Sequence, residues 1–85
     1  MTHALKTWPE FYEAIDSGEK TFEVRRFDRP FKVGDTLLLQ EWEPTNQVYT
    51  GRELRRTITY ILPGQNKFGM FADFCVMGIK EIETY

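Results

Sequence analysis

The sequence predicts a mainly β (α+β) fold, a small curled sheet or β-barrel of about five strands with one short N-terminal helix. Three observations lead there. Only the segment from Trp8 to Ile15 repeats its apolar residues at helical steps; several later segments alternate with the two-residue step of a strand; and turns rich in glycine, proline or asparagine separate them. A single helix leaves little chain for parallel crossovers, so antiparallel pairing should dominate. In 85 residues, five strands and one helix are most economically closed as a curled sheet with the helix over one end. That length fits one domain, residues 1–85.

Taken in order, Ala4 to Trp8 is a brief candidate first strand. Thr7-Trp8-Pro9-Glu10 has the spacing of a capping box with proline in the first turn, and Trp8, Phe11, Tyr12 and Ile15 recur at three- and four-residue steps, which predicts an amphipathic helix. Ser17-Gly18 ends it, because glycine readily adopts the left-handed conformation of a helix C-terminus. From Lys20 the period becomes two, with Phe22 and Val24 on one face and Thr21, Glu23 and Arg25 on the other, Phe22 facing the core. A turn-rich stretch, 27–35, leads to a strand over Thr36 to Trp42. Pro44-Thr45-Asn46 and Gly51 bracket an irregular hairpin loop. In the long strand Leu54 to Leu62, Leu54, Ile58, Tyr60 and Leu62 alternate with Arg55, Thr57, Thr59 and Ile61 on a wet face. After the polar gap 63–69, Phe71 to Ile82 supplies the last strand.

Composition narrows the function. Hydrophobic residues are 41% and charged residues 28% of the chain, too apolar for disorder. The apolar runs Leu37–Leu39 and Cys75–Ile79 fall far short of the roughly twenty residues that span a bilayer, and the N-terminus carries no secretory pattern, so a cytoplasmic protein without a membrane partner is expected. One cysteine, Cys75, and one histidine, His3, cannot form an intrachain disulfide or an all-Cys/His zinc site, and no cofactor is expected. Cys75 sits in an apolar run and reads as an inert buried thiol.

The net charge of −2 argues against a surface that binds polyanions everywhere, but Lys20, Arg25, Arg26, Arg29 and Lys32 crowd into thirteen positions that hold only two acids, Glu23 and Asp28. Such a patch points to an anionic ligand met at one place, or to a solvated strand edge. Within it, Gly18-Glu19-Lys20-Thr21-Phe22-Glu23-Val24-Arg25 puts a lysine where helix gives way to strand, followed by a carboxylate and a guanidinium on one strand face. Held beside Glu23, the lysine stays protonated; desolvated, it becomes the neutral amine that a base or nucleophile requires. Spacing does not choose between them. Arg25 offers a planar fork for phosphate, carboxylate or a base edge, and Thr21 a hydroxyl.

The string Gly18-x-Lys20-x-x-Glu23-x-Arg25 resembles the ASCH domain of the PUA-like superfamily. The wider frame (Leu5-Lys6-Thr7, Phe11, residues 18–25, Asp28-Arg29, Phe31-Lys32-Val33-Gly34-Asp35 and Tyr49-Thr50-Gly51-Arg52-Glu53) is similar to the small ASCH-related family DUF3850, over about residues 3 to 80. The resemblance implies a PUA-like β-barrel with a cleft beside the motif, lined by Lys20, Glu23 and Arg25 and shaped by Gly18, and a role in binding RNA or a nucleotide-like ligand. It also implies an alternative, since some small ASCH proteins are amidohydrolases that cleave acylated cytidines with a lysine placed as Lys20 is, a threonine and a distant glutamate. Here Glu23 stands at that threonine's position, Thr21 is the nearer hydroxyl, and the segment bearing the distant glutamate has no counterpart.

The expected ligand-binding residues are therefore Lys20, Glu23, Arg25, Arg26 and Arg29. Arg55 joins them from a second basic cluster, Arg52, Arg55 and Arg56, as a possible extension of a phosphate track. If the chain is an enzyme, Lys20, Glu23 and Thr21 are its catalytic candidates, working without metal. Among the abundant aromatics, Phe11, Phe22 and Phe74 read as core, whereas Trp42, Tyr49 and Phe68 lie where they could rim a cleft and stack on bases. A protein-interaction module using an exposed sheet edge is a third possibility.

Overall fold

Alternating strand residues sort into one apolar layer in a computed structural model, which describes residues 1–65, 67 and 69–82. The elements are β1 (Thr2–Thr7), α1 (Pro9–Asp16), β2 (Phe22–Arg26), β3 (Thr36–Glu43), β4 (Val48–Pro63) and β5 (Phe74–Glu81). They form one curled five-stranded sheet, a half-barrel in the order β1-β3-β4-β5-β2. The β3–β4, β4–β5 and β5–β2 pairs are antiparallel; β1 runs parallel to β3, with Leu5 opposite Leu39.

The core is drawn from every second residue of the central strands. Leu37 and Leu39 of β3, and Cys75, Met77 and Ile79 of β5, meet Leu5, Ile58, Phe31 and Ile15 of α1. Each fully buried aliphatic side chain contributes roughly 1.5–3 kcal/mol. Burial also pushes the Cys75 thiol above its ordinary value, with a smaller contribution from Asp28, as suits an inert cysteine.

Several local expectations are corrected. The N-cap of α1 is Trp8 and makes no side-chain cap, because Thr7 is still in β1, buried, with its Oγ1 donating to the Leu5 carbonyl (3.4 Å). Of the helix's apolar stripe only Tyr12 and Ile15 are buried; Trp8 and Phe11 remain about half exposed. The hairpin loop is shorter than expected, since β4 begins at Val48, and Gly51 falls inside that strand at φ +92°. There the β3–β4 register slips between Gln40 and Trp42, a bulge at which glycine's freedom is used. A second register shift, between Ile58 and Tyr60, reverses the faces of the end of β4, so that Ile61 packs on the core while Tyr60 and Leu62 turn outward. The last strand begins at Phe74 rather than Phe71.

The largest correction concerns β2. Its two faces group the residues as expected but are inverted: Glu23 is buried, at 4% exposure, while Phe22 and Val24 are 45% and 49% exposed. A period of two states which residues share a face and is silent on which face is inward. Burying Glu23 is tolerable because each of its carboxylate oxygens accepts a hydrogen bond from a basic side chain.

Candidate functional site

The two edge strands of the half-barrel, β1 and β2, face each other without a backbone ladder among the described residues. At the two ends of β2 the flanking Thr21 carbonyl accepts from Ile79 N and Phe27 N donates to the Asp73 carbonyl. By the alternation of an antiparallel ladder, the backbone groups of Phe22, Val24 and Arg26 then point toward the open edge. On the opposite side the free carbonyls of β1 are taken by arginines: Arg25 Nη2 donates to Lys6 O at 2.5 Å and Arg29 Nη1 to Ala4 O at 2.9 Å. Side chains, not backbone, thus clasp this seam.

A cleft of about 560 Å³ opens along it. Its apolar walls are the rings of Trp8, Phe11, Phe22 and Phe74, with Val24; its polar lining is Lys6, Thr7, Lys20, Glu23, Arg25 and Arg26. The Trp8 and Phe11 rings stack at 6.5 Å.

Lys20 is delivered by the turn after α1. Ser17 N donates to Glu13 O, Gly18 N to Ile15 O and Lys20 N to Ala14 O, folding the chain back over the helix end. Gly18 holds φ +85°, a conformation that costs an L-residue roughly 1–2 kcal/mol. Lys20 Nζ then donates to Glu23 Oε1 at 2.7 Å, and Arg25 Nε to Glu23 Oε2 at 2.7 Å. Each carboxylate oxygen therefore carries one cation. Lys20 is thus held beside Glu23 at the mouth of the strand. Its Nζ also lies 5.1 Å and 5.5 Å from the Phe22 and Phe11 ring centres, within cation–π range.

The sequence-predicted residues separate into groups. Lys20, Glu23, Arg25 and Arg26 converge on the cleft; the Arg26 guanidinium lies over the Phe74 ring (5.2 Å) and pairs with Asp73 at 2.8 Å on the surface. Arg29 clasps β1 without lining the cleft. Thr21 is exposed and lines a smaller cavity on the other side of Lys20. Arg55 is exposed and borders a third cavity, beside Leu38, Glu53 and Ile82. Its neighbours differ: Arg52 bridges Glu13 and Asp16 of α1, at 2.6 and 3.6 Å, and Arg56 is buried, donating to Ile15 O at 3.4 Å.

The aromatic assignments are corrected too. Phe11 and Phe22, expected in the core, are half-exposed cleft walls, and Phe74 is only partly buried. Trp42 sits under Lys6 Nζ at 4.6 Å and pairs with Tyr49 across the hairpin, outside the cleft lining; Phe68 lies outside the described residues. Trp8 and Lys6 were missed as lining residues. The available signal was Trp8 directly before the helix proline, where a large ring is at the end of the core stripe rather than within it.

The frame residue Asp35 serves the fold. His3 Nε2 (2.9 Å), the N-terminal ammonium (3.1 Å) and Lys32 N (3.1 Å) all donate to its carboxylate. The hydrogen bond from His3, then that from the N-terminus, hold its pKa down at about 2. Among the described residues no group of three His, Cys, Asp or Glu is placed to hold a metal ion, and no helix is long and apolar enough to cross a membrane.

Residues 2–79, which include every residue of the cleft, match the model of a domain of unknown function, DUF3850. The chain belongs to the DUF3850 family. Among curated proteins, this DUF3850 chain is similar to an uncharacterized 12.9 kDa protein in the GpA 3′ region of Escherichia phage P2, 37% identical over 57 residues, 67% of this chain and 50% of the relative. The aligned segment spans about half the length of that relative.

Proposed function

We propose that this DUF3850 chain is a cytoplasmic RNA- or nucleotide-binding module that takes a base into the cleft between β1 and β2. The observation that carries the reading is the cleft's lining: four aromatic rings surround a Lys20–Glu23–Arg25 cluster whose cations keep unspent N–H donors. Rings of this kind stack on any base, and donors beside them suit base carbonyls, ring nitrogens or phosphate. Glu23 orients both cations. The resemblance of Gly18-x-Lys20-x-x-Glu23-x-Arg25 to the ASCH motif supports the same reading.

The test is an amide NMR titration with the four ribonucleosides, N4-acetylcytidine and short RNAs, with the ligand signals followed in the same tubes. Shifts around Lys20, Glu23 and Arg25 with the ligand intact are expected, weakening as salt rises. Absence of shifts with every member overturns the proposal. Consumption of acetylcytidine, abolished in Lys20→Ala, would instead establish the amidohydrolase alternative, which is favoured only by Lys20 being hydrogen-bonded to a carboxylate inside a walled cleft.

A further inference from the structure

The two strand edges that face each other across the cleft end differently. On β1 the free carbonyls of Ala4 and Lys6 are capped by Arg29 and Arg25. On β2 the ladder bonds fall at every second position. Thr21 O accepts from Ile79 N and Phe27 N donates to Asp73 O, and between them the register sets Glu23 opposite Met77 and Arg25 opposite Cys75. The main-chain N–H and C=O of Phe22, Val24 and Arg26 therefore point away from β5. Among the described residues, neither β1 nor a side chain of the cleft bonds to them.

Such an edge ordinarily faces bulk water. Here all five residues of β2 line the cleft, so the central pair of free groups, the N–H and C=O of Val24, opens onto it between the Phe22 and Phe74 rings. One residue thus presents a donor and an acceptor side by side. Their complement is a planar group with an acceptor beside a donor, which a nucleobase carries on its Watson–Crick edge. A peptide strand is the other partner that a free edge can take. Arg25, however, crosses the seam from β2 to Lys6 O, which stops a strand from running the length of the edge. A base needs the groups of one residue alone.

We infer that the Val24 main chain reads the pairing edge of the ligand's base, so that the cleft takes an unpaired base and rejects duplex RNA and bases substituted on that edge. The inference rests on the base reading of the cleft and adds which edge is read, and by which groups.

The test is an amide NMR titration of the whole chain with the four ribonucleosides and with uncharged derivatives blocked on the pairing edge: 3-methyluridine, N4,N4-dimethylcytidine, N6,N6-dimethyladenosine and 1-methylguanosine. The controls 5-methyluridine and 5-methylcytidine carry the methyl elsewhere. One short RNA is added alone and annealed to its complement. Blocking should weaken each nucleoside that binds by at least about tenfold, and the 5-methyl group should not. The Val24 amide should move downfield and exchange more slowly. The annealed RNA should bind at least about tenfold more weakly than the single strand, although it carries about twice the phosphate charge.

Val24→Pro removes the free N–H and no ladder bond, at an edge position where proline is accepted; it should abolish nucleoside binding, whereas Val24→Ala should keep it within about twofold. Blocked and unblocked nucleosides binding equally, or duplex binding as well as single strand, overturns the inference and leaves the base reading standing. So does a Val24 amide unmoved by a bound nucleoside, a result that needs no variant to fold. Protection of the Phe22, Val24 and Arg26 amides together as protein concentration rises, without nucleoside, would assign the edge to strand pairing between copies and overturn it. No binding by any nucleoside or RNA overturns the base reading as well.

Discussion

Glu23 and Asp35 are both carboxylates drawn out of solvent and held by nearby donors, yet one lines a cleft and the other is a knot in the fold. Asp35 is held by a buried histidine ring, a backbone amide and the N-terminal ammonium. These tie the start of β1 to the turn before β3. Glu23 is held by two long side chains, each flexible and each with donors left over, and both look into a ring-lined cavity. The difference teaches that a buried carboxylate marks a site when its partners keep unused valence toward a cavity, and marks scaffolding when they do not.

The sharpest way to break the comparison is to remove Glu23. Glu23→Ala should cost about 2–3 kcal/mol in urea unfolding, below the ~3–5 kcal/mol of a fully buried pair because Lys20 and Arg25 can rehydrate, and should abolish ligand-induced NMR shifts. Arg25→Ala comes next, at about 1.5–2 kcal/mol, because it removes both a charge-assisted bond to Glu23 and the clasp on Lys6 O. Hydrogen exchange should then rise in β1 and β2 while the β3–β4 ladder stays protected. Lys20→Ala should separate function from fold, weakening ligand about tenfold while changing stability by less than about 1 kcal/mol.

Gly18→Ala should cost roughly 1 kcal/mol in urea unfolding, a backbone effect alone, since an added Cβ meets nothing within 4 Å. The smallest effect on ligand binding belongs to Asp35, which ties the fold and does not line the cleft. Its folded pKa, about 2, lies below the ordinary 3.8. Its contribution is therefore fully present above about pH 4 and is lost as pH falls from there through about 2. Asp35→Asn should flatten that limb of an acid-unfolding curve and leave ligand binding at pH 7 unchanged; altered binding would mean that the two carboxylates are coupled.

Much of this was legible in the chain. The helix near the start, the strand at Thr36, the Gly18 turn and the strand carrying Glu23 and Arg25 all follow from spacing, because period and turn chemistry are local. The convergence of Lys20, Glu23 and Arg25 was legible for the same reason: they lie within six residues and are joined by one turn. What escaped was of another kind. The exposure of Phe22 and Phe11 escaped because a ring that walls a cleft and a ring in the core obey the same periodicity. The outward Tyr60 and inward Ile61 escaped because one register shift reverses every later residue of a strand. That Arg25 and Arg29 also clasp β1 escaped because charge in sequence does not reveal a carbonyl on a strand nineteen or twenty-five residues earlier.

By itself, the sequence determined that this protein is a small, mainly β domain with a lysine, a carboxylate and a guanidinium gathered at one helix-to-strand turn. Only the tertiary structure decided that Glu23 faces inward and that β1 lies parallel to β3. It alone set the two open edges against each other to leave a ring-lined cleft. The physical reason is that element type is set by contacts a few residues apart, whereas the inner face, the register and the gap between edge strands depend on contacts between distant segments, whose energies no local pattern encodes.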